Sequence, residues 1–217
     1  MRNDKIKHLS DKFDLFVFDY DGTLNDLRIV TRLNETAKRA LGLWNRDSTI
    51  KDFKRMDYNL RSRVERREEY KNSIISILAD FFMLLSRPRL HKDSVALLSE
   101  LRHRGKRLAL FSNERAYKLA NELSYLKILD YFEVIVSARD IRAMKPNPTG
   151  LKAIIQSMKV KPESTLYIGD MVDDILAAKL AKVPSCGVAD GFDSYHTLKS
   201  MKPDYLFNSI EGLKEAL

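Results

Sequence analysis

Short apolar runs alternate with helical periodicity along most of this chain. The runs typical of strands are residues 15–18, 107–111, 132–136, 165–168 and 185–188, and a short terminal strand starts near Tyr205. Between them, apolar residues recur every three to four positions, as on one face of a helix. Strands that alternate with helices predict parallel βαβ units. The expected fold is therefore α/β, a Rossmann-like doubly wound parallel sheet, preceded by a polar lead-in over residues 1–13.

The pattern changes between residues 27 and 87. Strand-type runs disappear there and helical periodicity replaces them. We therefore predict a small helical cap domain, residues 27–87, inserted after the first strand, while residues 1–26 and 88–217 form the core domain. Basic side chains are frequent between Lys51 and Arg67, but acidic ones are interleaved with them. This mixture favours a solvated helix face over contact with a substrate.

Composition and charge narrow the class of protein. The 217 residues include 44% hydrophobic and 31% charged side chains, which fits a soluble globular protein with a real core. Lys and Arg number 38 against 30 Asp and Glu, for a formal charge of +8. A basic surface favours anionic partners such as phosphorylated metabolites or nucleic acid. A charge-rich surface typical of heat-adapted proteins is a simpler interpretation than nucleic-acid binding.

Several further features limit location and chemistry. The only cysteine, Cys186, excludes an internal disulfide and a thiolate metal cluster, and its apolar neighbours predict core packing. The polar N-terminal residues predict no signal peptide, and the longest apolar run, residues 74–85, is too short to span a bilayer. The expected location is the cytoplasm. The four histidines are expected to be ordinary surface or core residues.

Polar side chains come where the predicted strands end. They are Asp19, Asp21 and Thr23 after strand one, Ser112 and Asn113 after strand two, Lys145 after strand three, and Asp170, Asp173 and Asp174 after strand four. Ligands of such sheets bind beyond the carboxyl ends of the strands, so these groups are expected at one edge. Neighbouring carboxylates repel each other unless a cation or a proton lies between them. The pattern therefore favours metal-assisted chemistry on a phosphoryl group.

Each motif also has an ordinary structural interpretation. The Asp-x-Asp-Gly sequence at Asp19 is common in turns, and Ser112 with Asn113 could cap a helix. Lys145 alone would be interpreted as a surface lysine. Asp170 and Asp174 could stabilise the N-terminus of the helix that follows them. A chance turn explains one motif, but it does not explain four at the same edge of one sheet.

Together these segments resemble a known family. Asp19-Tyr20-Asp21-Gly22-Thr23, Phe111-Ser112-Asn113, Lys145-Pro146 and Gly169-Asp170-Met171-Val172-Asp173-Asp174 resemble, in order and spacing, the four motifs of the haloacid-dehalogenase-like (HAD) hydrolase superfamily. The resemblance covers about residues 13–26 and 88–217. Phe192 after Asp190-Gly191, and Pro203-Asp204-Tyr205, resemble the phosphoglycolate-phosphatase-like branch more weakly.

The resemblance implies a Mg²⁺-dependent phosphatase that acts on small phosphorylated metabolites through an aspartyl phosphate. It implies that Asp19 is the nucleophile and that Asp21 is the acid and base. The metal ligands would be the side chains of Asp19 and Asp170 and the backbone carbonyl of Asp21. Phosphate oxygens would be bound by Thr23, Ser112, Asn113 and Lys145. Asp174 would orient Lys145 or a water on the metal, and Asp173 is expected to be a spectator.

Asp21 bears on the type of reaction. Family members that remove halogen lack an aspartate at this position, so its presence favours phosphoryl transfer. Two alternatives remain open: a sugar phosphomutase of the same superfamily, and a non-catalytic basic module that binds nucleic acid or a protein on the same fold. The expected partner is a small phosphorylated metabolite, with no membrane, nucleic acid disfavoured, and a monomer or homodimer as the assembly.

Overall fold

The computed structural model describes residues 9–26 and 88–217, which belong to one compact unit. Its strands are β1 (Leu15–Phe18), β2 (Arg107–Ser112), β3 (Val134–Ser137), β4 (Thr165–Gly169), β5 (Ser185–Val188) and β6 (Tyr205–Phe207). Its α-helices are α1 (Leu9–Lys12), α2 (Ser94–His103), α3 (Ala116–Tyr125), α4 (Thr149–Met158), α5 (Val172–Ala181), α6 (Tyr195–Ser200) and α7 (Ile210–Glu215). The predicted cap, residues 27–87, and its basic run lie outside the described residues.

The six strands form one parallel sheet in the order β3-β2-β1-β4-β5-β6. The chain runs outward from β1 to β3 and then returns to place β4 on the other side of β1. The order therefore reverses between β1 and β4, and such a reversal opens a crevice at the carboxyl ends of the strands. The predicted doubly wound α/β core is confirmed.

Helices cover both faces of the sheet because the central strands are apolar on both sides. In β1, Phe16 and Phe18 join one buried cluster, while Leu15 and Val17 join the other, as alternation along a strand requires. The first cluster includes side chains of α1, α2, α3 and α7. The second includes α4 and α5, which place residues such as Ile154 on the sheet. The result is a three-layer sandwich with β1 and β4 in the middle of the sheet.

The structure contains two short helices that the sequence did not predict. Leu9–Lys12 is a short helix with Leu9 fully buried, although this part was predicted to be a polar lead-in. Helix α6 was also not predicted, and it is capped by Ser194, whose side chain accepts a hydrogen bond from the Thr197 amide. Both helices are too short for periodicity to reveal them. In the described ranges, no helix has the length and apolarity needed to cross a membrane.

Candidate active site

The carboxyl ends of β1 and β4 bring the predicted acids together. Asp19 directly follows β1 and donates its backbone N–H to the carbonyl of Ile168, 2.8 Å away. Asp170 directly follows β4, and Asp174 lies in the first turn of α5. One carboxylate oxygen from each of these three aspartates lies within 4.8 Å of the others, and all three side chains are buried. The reversal of strand order thus places three acids in one crevice.

Lys145 supplies a positive charge to this cluster. Its ammonium lies 2.6 Å from Asp19 Oδ1 and 2.7 Å from Asp174 Oδ1, and its side chain is 3% exposed. Burial lowers the pKa of Lys145, but the charges of Asp174 and Asp19 outweigh it and raise that pKa above its ordinary value. Lys145 is therefore a buried cation, and the interpretation as a surface lysine is wrong.

The two oxygens of Asp174 have different partners. Oδ1 lies 2.7 Å from Lys145 Nζ and 3.0 Å from the Tyr167 hydroxyl, which donates to it. Oδ2 accepts from the backbone N–H of Met171 at 2.9 Å. One oxygen of Asp174 thus caps α5, and the other binds Lys145. The side chain serves as a helix cap and also makes the contact with Lys145 that was predicted for it. Tyr167 was missed because it lies within an apolar strand.

Two loops enclose Asp170. Its Oδ1 accepts from the Thr23 hydroxyl at 2.9 Å, and its Oδ2 accepts from the backbone N–H of Phe192 at 2.7 Å. A Cβ atom at Gly22 or at Gly191 would overlap with this carboxylate. Glycine is therefore required at both positions to let the backbone approach the acid. The Thr23 hydroxyl donates to Asp170, and a contact between Thr23 and phosphate stays a prediction.

Asp21 does not belong to the cluster of three acids and interacts with charged side chains in and near α3. Its Oδ1 accepts from the Asn25 side chain at 3.0 Å. Burial raises the pKa of Asp21 to about 6, the charge of Lys118 opposes this, and Glu114 adds to it. Lys118 lies 3.3 Å from Glu114 and 3.7 Å from a carboxylate oxygen of Glu122. A carboxyl with a pKa near neutrality is suited to give and take a proton.

Ser112 and Asn113 shape the loop after β2. The Ser112 hydroxyl accepts from the backbone N–H of Glu114 at 3.1 Å. The Asn113 side-chain oxygen accepts from the backbone N–H of Lys145 at 2.9 Å, so it fixes the loop that carries the lysine. Ser112 and Asn113 do not cap the first N–H of α3. The helix starts at Ala116, and the backbone N–H of Ala116 donates to the Asp140 side chain. Binding of phosphate by Ser112 and Asn113 stays a prediction.

The charge of the cluster fits a divalent cation. The cluster contains three buried carboxylates and one ammonium, which contacts two of them. When all four side chains are ionised, two negative charges are left uncompensated among them. Burial raises the pKa of Asp19 to about 7, with Lys145 opposing and Asp174 adding to the rise. Burial and the charges of Asp19 and Asp174 raise the pKa of Asp170 well above its ordinary value. Hard oxygen ligands of this kind suit Mg²⁺.

Comparison with known proteins identifies the family. The family model of haloacid dehalogenase-like hydrolases matches residues 16–188. Phosphoglycolate phosphatase of Escherichia coli (strain K12) is 33% identical over 120 residues, which are 55% of this chain and 48% of that protein. The corresponding protein of Salmonella choleraesuis is 32% identical over the same length. The chain spans about half the length of these curated relatives.

Solved structures share the fold. A haloacid dehalogenase-like protein from Agrobacterium tumefaciens matches with a TM-score of 0.69 at 20% identity, over 94% of this chain and 95% of that one. The L-2-haloacid dehalogenase from Xanthobacter autotrophicus matches with a TM-score of 0.63 at 21% identity, over 93% and 97%. At these identities the likeness concerns architecture alone. The match to the family model over most of the chain makes this protein a member of the haloacid dehalogenase-like hydrolase family.

Proposed function

We propose that this protein is a Mg²⁺-dependent phosphatase that hydrolyses small phosphorylated metabolites. The observation that carries the proposal is the buried cluster of Asp19, Asp170 and Asp174 at the carboxyl edge of the sheet, with the Lys145 ammonium against two of these acids. The group combines a nucleophile, oxygen ligands for a metal and a cation that can face a phosphoryl group. The family assignment and the similarity to phosphoglycolate phosphatases support the same function.

The proposed metal ligands are the side chains of Asp19 and Asp170 and the backbone carbonyl of Asp21. The carboxylates of Asp19 and Asp170 belong to a cluster with excess negative charge, which a divalent cation would offset. When bound, Mg²⁺ supplies positive charge that lets a carboxylate approach an anionic phosphoryl group. Thr23 and the Phe192 amide hold Asp170 in place, so this ligand is oriented before any ion enters.

In the first step, an Asp19 oxygen attacks phosphorus and forms an aspartyl phosphate. The bond between phosphorus and the leaving oxygen breaks, and Asp21 gives that oxygen its proton. Lys145 interacts with the phosphoryl oxygens as negative charge develops on them. Asn113 supports this step indirectly, because its side chain fixes the backbone of Lys145.

In the second step, water replaces the leaving alcohol. Asp21, now ionised, takes a proton from the water, whose oxygen attacks phosphorus and breaks the bond to Asp19. Phosphate leaves, and both aspartates return to their starting protonation states. The pKa of Asp21 near 6 suits this exchange, because the group is neither always protonated nor always ionised near neutral pH.

The proposed substrate class is small phosphate monoesters of the phosphoglycolate type. Support comes from the curated relatives, which are named phosphoglycolate phosphatases, although the match covers 120 residues. The specificity contacts would come from the predicted cap, residues 27–87. We also propose that the protein works in the cytoplasm on its own or as a homodimer, without a membrane or nucleic acid as partner.

The test is a screen of phosphorylated metabolites for phosphate release, with and without Mg²⁺. We expect release that requires Mg²⁺ and is abolished by a chelator, with phosphoglycolate among the better substrates. Isomerised sugar phosphate with little free phosphate would instead indicate a phosphomutase. Salt-dependent retention of DNA or RNA without metal-dependent hydrolysis would indicate a binding module.

A further inference from the structure

His91 lies against the loop that carries the catalytic aspartates. It belongs to the short segment between residue 88 and α2, and it is 3% exposed. Its Nε2 lies 3.1 Å from the carbonyl oxygen of Gly22. A carbonyl can only accept, so Nε2 carries the proton and donates it. The imidazole therefore holds one peptide group of the loop between Asp19 and Asn25.

The other side of the imidazole faces Asp190. Its Nδ1 lies 3.7 Å from Asp190 Oδ2, and the same oxygen accepts from the backbone N–H of Ile210 at 3.4 Å. Asp190 follows β5, so it belongs to the loop that also contains Gly191 and Phe192. The imidazole therefore lies between the Gly22 carbonyl and the Asp190 carboxylate, and its separation from the carboxylate is longer than a hydrogen bond.

The loop after β5 contacts the Asp170 side chain. Phe192 donates its backbone N–H to Asp170, and a Cβ at Gly191 would overlap with both the Asp170 carboxylate and the Gly22 carbonyl. The pair of His91 and Asp190 therefore links the two loops that enclose Asp170. The His91 hydrogen bond fixes the Gly22 carbonyl on the loop after β1. It therefore also fixes the distance between this carbonyl and the loop after β5.

Backbone hydrogen bonds hold His91 in this position. Its own N–H donates to the carbonyl of Leu24 at 2.9 Å, and the N–H of Asp26 donates to the carbonyl of Arg89 at 2.6 Å. These bonds tie the segment after residue 88 to the far end of the loop. The His91 side chain extends the same connection to Gly22, the residue that directly follows Asp21.

We propose that His91 is a positioning residue for the metal site. Its hydrogen bond holds the carbonyl of the peptide between Gly22 and Thr23. That peptide is one residue beyond the Asp21 carbonyl, the proposed metal ligand, so the bond restricts how far the Asp21 carbonyl can move relative to Asp170. This inference rests on the proposed function, because it assigns a role toward the Mg²⁺ site of that function. The interpretation of His91 as an ordinary core histidine gives it no such role.

Direct metal binding to the full chain tests the proposal. The probe is Mn²⁺, measured by electron paramagnetic resonance of the free ion, with p-nitrophenyl phosphate turnover as a second readout. His91→Phe keeps a ring but removes the donor, and we expect Mn²⁺ affinity and kcat to fall about tenfold, with a smaller change in KM. His91→Gln retains an N–H donor at the position of Nε2, and we expect it to bind Mn²⁺ within about threefold of the parent.

Met158→Ala is the matched control for lost stability. Met158 is buried at the end of α4, near the opposite edge of the sheet, so its truncation should lower stability without changing Mn²⁺ affinity. Equal Mn²⁺ binding by the parent and by folded His91→Phe would overturn the inference. Equal losses of Mn²⁺ affinity in His91→Phe, His91→Gln and Met158→Ala would also overturn it.

If His91→Phe does not fold, Asp190→Ala replaces it in the experiment. We expect the Mn²⁺ affinity of Asp190→Ala to fall about threefold, and unchanged Mn²⁺ affinity would overturn the inference. A parent that binds Mn²⁺ but hydrolyses no phosphate ester would overturn the proposed function instead.

Discussion

The ammonium of Lys145 lies 2.6 Å from Asp19 Oδ1, although 126 positions separate the two residues in the chain. The same ammonium lies 2.7 Å from Asp174. Removing one partner of a buried ion pair leaves the other charge buried without compensation, which makes such contacts costly to break. The contact therefore gives the proposed nucleophile, Asp19, a fixed position and makes its ionisation depend on Lys145.

Lys145→Met should lower both stability and turnover. Loss of the ammonium leaves Asp19 and Asp174 facing each other, and we expect metal-free protein to lose about 3 kcal/mol of unfolding free energy. Turnover should fall at least about a hundredfold, because no cation would face the phosphoryl oxygens. Urea unfolding and phosphate release measure the two effects. Lys152→Met, at an exposed position of α4, is the control and should change stability by less than about 0.5 kcal/mol.

Asp19→Asn should abolish turnover and leave the fold intact. An amide is a poor nucleophile toward phosphorus, so we expect hydrolysis of p-nitrophenyl phosphate to fall by about a thousandfold or more. Circular dichroism should match the parent. Asp130→Asn makes the same chemical change at an exposed site and should keep full activity. Hydrolysis by Asp19→Asn at the parent rate would show that the nucleophile is assigned wrongly.

Gly191→Ala should damage the metal site more than the fold. The added Cβ would meet the Asp170 carboxylate, so we expect the Mg²⁺ concentration for half-maximal activity to rise at least about tenfold. Gly105→Ala is an informative contrast. Gly105 has a φ angle of +72°, but a Cβ added there would meet no other atom. We therefore expect Gly105→Ala to lose about 1 kcal/mol of stability and to keep normal activation by Mg²⁺. Equal Mg²⁺ activation in both variants would contradict the steric argument.

Stabilisation by Mg²⁺ should grow as pH rises. In metal-free protein the pKa of Asp19 is raised from 3.8 to about 7, so the fold prefers the protonated acid. That preference stabilises the metal-free fold fully below about pH 3.8 and is lost as pH rises through about 7. Mg²⁺ requires the ionised carboxylate, so it should add most stability at the alkaline end of this range.

The measurement is the rise in Tm on adding Mg²⁺, at several values between about pH 5 and about pH 8. Asp19→Asn cannot ionise at this position, so its Mg²⁺-dependent rise should vary less with pH. A rise in Tm that stays constant or shrinks toward alkaline pH would contradict the prediction.

The strands and the order of the motifs could be read from the sequence. The bounds of β1 and β5 match the prediction, because their apolar runs and breaks are local signals. Helices α1 and α6 were missed because each has six residues or fewer. The cap prediction and the residue roles stay predictions.

The partners of the acids could not be read in the same way. Tyr167 lies in an apolar strand, and its hydroxyl gives no periodic signal that it reaches Asp174. His91 lies outside every motif, yet it contacts Gly22. The Thr23 hydroxyl donates to Asp170, a contact that the sequence did not indicate, and its contact with phosphate stays a prediction. Each contact depends on the path of a loop, which local composition does not specify.

The sequence by itself determined that the acids and the lysine would meet, because parallel strands place their carboxyl ends at one edge of a sheet. Only the tertiary structure decided which atoms pair: Lys145 between Asp19 and Asp174, and Asp170 between two loops close to Gly191. The reason is geometric. A hydrogen bond requires atoms to lie within a few tenths of an ångström of their preferred separation, and the packing of distant segments sets that separation.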